Sequence, residues 1–113
     1  MELLCAALVA KKAHDVTVLD IAAVSSVADT FIVASAQSRL AVQALADAVR
    51  DAARAAGERP LRSEGHAEGR WICLDFGDII VHLFQEDVRR YFDLERLWGD
   101  APTLRWQEAV VIG

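Results

Sequence analysis

"RWICLDFGDIIVHLFQ", residues 70–85, decides how this chain folds. Trp71, Cys73 and Asp75 alternate with Ile72, Leu74 and Phe76. That is the period-two pattern of a strand whose side chains point to opposite faces. Past Gly77 and Asp78 the pattern resumes, with Ile79, Val81 and Leu83 alternating with Ile80, His82 and Phe84. The tight reversal at "FGDI" joins the two runs as a β-hairpin. Upstream, "TFIVASA" (residues 30–36) is almost continuously apolar, the mark of a central strand covered on both faces. "VTVLDI" (residues 16–21) is short and β-branched, a further strand. Between these two lies "AAVSSVAD", with the turn formers Ser25, Ser26 and Asp29.

Helices surround these strands. Leu4, Ala7 and Leu8 recur at helical spacing, which predicts a helix over residues 2–13 with Lys11 and Lys12 in its last turn. The longest element starts after Ser38, an N-cap residue type, and stops at Gly57. Along it Leu40, Val42, Leu45, Ala48, Val49, Ala52 and Ala56 form the apolar stripe. "RPLRSEG" reads as a short extended piece, where Pro60 favours an edge strand or strand start, and Glu68-Gly69 as a turn. A helix follows from about Glu86, broken near Asp93. The order predicts an α/β domain: a mixed β-sheet with helices on its faces.

At 113 residues the chain is one domain, able to bury roughly two-thirds of its unfolded surface. With 54 % apolar residues it has the composition of a packed core rather than of a disordered segment. The formal net charge of -5 argues against a phosphate-tracking nucleic-acid binder and fits a basic protein partner. Cys5 and Cys73 are too few for a disulfide framework and stand in no zinc spacing, so both read as reduced thiols. Glu2 stands where a signal peptide carries Lys or Arg, and no apolar run reaches the roughly 20 residues of a membrane span. The expectation is a cytoplasmic protein without a membrane partner.

The search for an enzyme finds little. His14, His66 and His82 share no metal spacing. There is no GxGxxG, no Walker loop and no GxSxG. Ser25-Ser26 suits turn capping better than nucleophilic chemistry. "SSVADTF" has the outline of a nucleotidyl-transfer site, but that chemistry needs two carboxylates two residues apart on a strand face. Two positions after Asp29 stands Phe31. A metal-dependent nucleotidyl-transfer enzyme or nucleotide sensor using Asp29 is therefore the alternative function, not the leading one.

"RRYFDLERLWGDAP", residues 89–102, is the other informative stretch. Glu86 with Arg89 or Arg90, and Asp93 with Arg96, have helical ion-pair spacing, which is worth little by itself. Arg90, Leu94, Leu97 and Trp98 cannot all face the core together with Val88, Tyr91 and Phe92. Some large apolar surface must stay outside, and Arg, Tyr and Trp are enriched at interface hot spots. The stretch reads as a protein-binding patch, with a plain capping helix as the competing reading.

Together the segments "VLDI…SSVADTFIVAS", Ser38-Arg39, "LAD" (45–47), "AAG..PLRSEG", "W.CLDFGDIIVHLF" and "RRYFDLERLWGDAP" resemble the ribosomal silencing factor family, also called Iojap-like proteins. The resemblance spans roughly residues 15–102. It implies a single domain over residues 1–102 followed by a tail, 103–113, that lies outside it. It implies a nucleotidyltransferase-like topology without the catalytic carboxylate set, no cofactor and no enzymatic activity. It also implies binding to the large ribosomal subunit through ribosomal protein L fourteen, which blocks joining of the small subunit and lowers translation when nutrients are short. A part in late large-subunit assembly is a further implication. The implied contact residues are Trp71 and, from the segment 89–98, Arg89, Arg90, Tyr91, Leu94, Leu97 and Trp98. Asp78, His82 and Glu86 stand at matching positions, with a structural role as their competing reading. Where the family often has a Thr-Gly step after the second strand, this chain has Ala36. The apolar strand 30–36 and the tail leave room for a homodimer in isolation.

Overall fold

The computed structural model describes residues 1–97, Gly99 and residues 101–105. Its six-stranded sheet has the order β3-β4-β5-β2-β1-β6. The strands are β1 (His14–Asp20), β2 (Thr30–Ala36), β3 (Arg62–Glu64), β4 (Trp71–Asp75), β5 (Ile79–Gln85) and β6 (Thr103–Arg105). The helices are α1 (Glu2–Ala10), α2 (Arg39–Ala55), α3 (Glu86–Phe92) and α4 (Leu94–Leu97). Every neighbouring pair is antiparallel except β2 with β5, so the sheet is mixed as its sequence predicts. β2 is central and buried on both faces, which is why its run has no polar alternation. β6 pairs with β1 from Thr17 opposite Arg105 to Leu19 opposite Thr103, so the first three residues of the tail complete the sheet.

One face carries α1 and α2. Leu4, Cys5 and Leu8 of α1 and Val42, Leu45, Ala46, Val49 and Ala53 of α2 pack there on Val18, Ile32, Ala34, Ile72, Leu74, Val81 and Leu83. Ser38 caps α2, its hydroxyl accepting the Ala41 N–H at 3.1 Å. Leu40, expected in the apolar stripe, is 70 % exposed. Two residues turn a helix by about 200°, so Leu40 and Val42 cannot share a face. Gly57, at φ +82, ends α2: its N–H donates to the Arg54 carbonyl and the Glu58 N–H to that of Ala53, a Schellman motif. The same motif ends α1 early. Lys12 takes the left-handed position (φ 63), and the Lys12 and Ala13 N–H groups donate to Val9 and Leu8. The two lysines therefore lie past the helix rather than in its last turn.

The second face is covered unevenly. Leu19, Ile21, Phe31, Val33, Ile80 and Phe84 form a core there under Val88, Leu94 and Ala101. Towards β3 the cover ends: Trp71 and Cys73 are half-buried, and all three residues of β3 are exposed.

Candidate docking surface

The open part of the second face is built by strand register. Trp71 lies opposite Phe84 and Cys73 opposite His82 across the β4–β5 ladder, and β2 lies beyond β5. At the end of β5 the chain turns into α3 without a loop, Gln85 serving as N-cap. α3 has only seven residues because Asp93 adopts a left-handed conformation, φ 49 and ψ 60, and turns the chain. The short helix sets Phe92 beside the sheet aromatics. The Trp71 ring lies 4.9 Å from that of Phe84 and 4.8 Å from that of Phe92, and Tyr91 meets Phe92 edge-on at 5.1 Å. Tyr91 is 83 % exposed and Phe92 46 %. Arg70 with Asp87, and Arg90 with Arg96 and Asp93, line two shallow clefts around them.

His82 lies beneath this patch, 7 % exposed. Its Nδ1 accepts the indole N–H of Trp71 at 3.1 Å, and its ring meets Phe31 edge-on at 4.5 Å. Accepting at Nδ1 places the proton of the neutral ring on Nε2. That Nε2 is buried and has no hydrogen-bond partner among the described residues. Burial lowers the His82 pKa from 6.5 to about 4, so the ring is neutral at physiological pH.

Arg89 anchors the helix that carries the patch. Expected on the contact surface, it is 7 % exposed and turned inward. Its guanidinium donates to the carbonyls of His14 (3.1 Å) and Asp15 (2.8 Å) and to the hydroxyls of Ser35 (3.1 Å) and Thr17 (3.3 Å). The β1–β2 register shifts between His14 and Thr17, with Asp15 at φ 50, and the carbonyls at this irregularity are the ones Arg89 collects. Beside it the Glu86 carboxylate meets His14 Nδ1 and accepts from the Ser35 hydroxyl at 3.3 Å. α3 is thus tied to β1 and β2 at both its first turn and its middle.

Of the residues singled out in the sequence, Trp71, His82 and Tyr91 come together. Arg90 is exposed on the rim, and Glu86 belongs to the anchor. Leu94 is a core residue, 8 % exposed, because the turn at Asp93 points it inward. Asp78 lies at the far end of the hairpin, roughly 20 Å from Trp71 by strand length, where its carbonyl accepts the N–H groups of Asp29 and Thr30. The backbone of Leu97 lies in α4, while its side chain and Trp98 fall outside the described residues. Phe92, His14 and Ser35 were not among the residues that the sequence singled out. The i, i+4 spacing of Val88 and Phe92 signals that both face the sheet, but not that the sheet ends beneath Phe92.

Among the described residues no three His, Cys, Asp or Glu side chains are placed to share a metal ion. Burial raises the Cys5 pKa to about 11. Burial raises that of Cys73 too, helped by Asp75 and Glu64. Both thiols stay protonated and are weak nucleophiles. No described helix is long and apolar enough to cross a membrane.

Comparison with known proteins places this architecture. Residues 1–111 match the family model "Ribosomal silencing factor during starvation". The ribosomal silencing factor RsfS of Bacillus subtilis is 44 % identical over 92 residues, covering 81 % of this chain and 78 % of that protein. The chloroplastic protein Iojap of Arabidopsis thaliana is 32 % identical over 90 residues, 80 % of this chain but 37 % of that longer protein. A crystal structure of a Chromobacterium violaceum protein, 35 % identical, superposes with a TM-score of 0.84 over 99 % of this chain and 89 % of that one.

Proposed function

This chain belongs to the ribosomal silencing factor family, and we propose that it docks on the large ribosomal subunit through ribosomal protein L fourteen and blocks joining of the small subunit. The observation that carries this reading is the partly exposed aromatic patch where Trp71 of β4 meets Phe92 and Tyr91 of α3, the helix anchored by Arg89. A steric blocker needs a rigid surface with a few large anchors and no chemistry. An interface of roughly 1,200–2,000 Å² in total is enough for a stable, specific complex. The formal charge of -5 complements a basic ribosomal protein and speeds encounter. The same reading makes the protein cytoplasmic and non-enzymatic, and extends to late large-subunit assembly and to a dimer in isolation.

Binding of purified L fourteen by calorimetry tests it. Tyr91→Ala, at an exposed site, leaves the fold intact and weakens binding by about 1 kcal/mol or more. Wild-type affinity in Tyr91→Ala and Trp71→Ala alike, with both folded, places the contact elsewhere. Light scattering across a concentration series reads the dimer.

A further inference from the structure

His82 raises a question that docking alone does not answer. A buried neutral histidine loses hydration, and among the described residues this one's Nε2–H has no acceptor. An aliphatic residue would fill the same place between Phe31 and Phe84 at lower cost. The structure shows what only a side chain with an acceptor at this position can do: hold the Trp71 indole by its N–H. An indole at a half-open sheet edge can otherwise turn about its χ2 bond and offer that N–H to water.

We infer that His82 is a positioning residue of the docking surface, its Nδ1 locking the Trp71 indole so that the ring stands preformed beside Phe84 and Phe92. The inference rests on the docking role of Trp71 proposed above. The lock removes a polar N–H from the patch and leaves the ring as the part that a partner meets. It also spares the complex the entropy of ordering a large side chain on binding. Gln85 supports the arrangement from behind: its side-chain amide donates to the Gly69 carbonyl and its backbone N–H to that of Arg70, which fixes the chain entering Trp71.

Indole N–H resonances of the free ¹⁵N-labelled protein test the lock without any partner, Trp71→Phe identifying the resonance. His82→Phe keeps a ring and removes the acceptor, whereas His82→Asn keeps an acceptor near the Nδ1 position. The expected result in His82→Phe is a Trp71 indole N–H that shifts and exchanges with solvent at least about tenfold faster, with L fourteen binding about fivefold weaker. His82→Asn restores both in part. If His82→Phe does not fold, acidification of the wild-type protein serves instead, because protonating Nδ1 sets N–H against N–H and moves the same resonance. Among the described residues, the titratable and charged groups on the packed neighbours are Cys73, directly across on β4, Asp75 two residues along from it, and Arg89 of α3. The thiol, its pKa raised by burial, keeps its proton in acid, and an Asp75→Asn control removes the carboxylate.

An unchanged Trp71 indole resonance and exchange rate in His82→Phe overturns the lock. A freed indole with wild-type L fourteen affinity overturns the positioning role. If Trp71→Ala and Tyr91→Ala both bind normally, the docking reading fails instead, and the indole spectrum separates the two failures.

Discussion

Replacing Arg89 with alanine strips the guanidinium from two backbone carbonyls and two hydroxyls at a site 7 % exposed to solvent. Hydrogen bonds from a charged donor contribute about 1.5–3 kcal/mol each, but the four share one group and are not additive. The His14 and Asp15 carbonyls lose their charged donor and keep the Ser35 and Thr17 hydroxyls, at a point where Asp15 holds a left-handed conformation, so the irregular start of β1 loses its brace. Losing this set of charge-assisted hydrogen bonds together, discounted for their non-additivity, costs about 3–5 kcal/mol. Against a total stability of about 5–15 kcal/mol, the variant retains a small margin. With an m-value of about 1.5 kcal/mol/M, the urea midpoint falls by about 2–3 M. Arg89→Lys recovers a minority of this, since a compact ammonium cannot span both carbonyls and both hydroxyls. A midpoint within about 0.5 M of wild type in Arg89→Ala would refute the anchor and return Arg89 to the surface.

Other consequences follow from the same geometry. Gly65 has φ +86, and a Cβ there would lie 2.1 Å from the Trp71 carbonyl oxygen, so Gly65→Ala lowers stability by about 2 kcal/mol or more and disturbs the Trp71 fluorescence. Ser38→Ala removes the α2 cap and costs about 1 kcal/mol in urea unfolding. The His82 pKa lies near 4 in the folded chain and near 6.5 when unfolded, so between these values the unfolded chain binds more protons. Stability therefore falls as pH drops from 6.5 to 4, by roughly 2–4 kcal/mol from this group, and loses no more from it below pH 4. The difference between wild-type and His82→Phe unfolding curves across that window isolates the term.

The elements were legible wherever the pattern is local. The hairpin at residues 70–85, the double-sided burial of β2, the Ser38 cap and the Gly57 stop each follow from periodicity or from one residue's backbone preference. The turn at Asp93 was legible too, as a break in a helix whose charges and rings conflict. Arg89 was not: its partners are the carbonyls of His14 and Asp15, about 75 residues away in sequence, and nothing in "RRYF" distinguishes the buried arginine from the exposed one. The exposure of Phe92 and the burial of Leu94 likewise depend on where the sheet ends, which is a tertiary fact. Of the site, the sequence and its family resemblance pointed to Trp71, His82 and Tyr91 but not to Phe92. The bond from Trp71 to His82 needs the β4–β5 register, which sets residue 71 opposite 84 and 73 opposite 82.

Sedimentation of the purified protein with isolated large subunits, followed by addition of small subunits, tests the central claim most directly. The account predicts stoichiometric co-sedimentation with the large subunit and a loss of joined ribosomes, both reduced in the folded Tyr91→Ala variant. Absence of the wild-type protein from the large-subunit fraction, or full subunit joining with the protein bound, would contradict it.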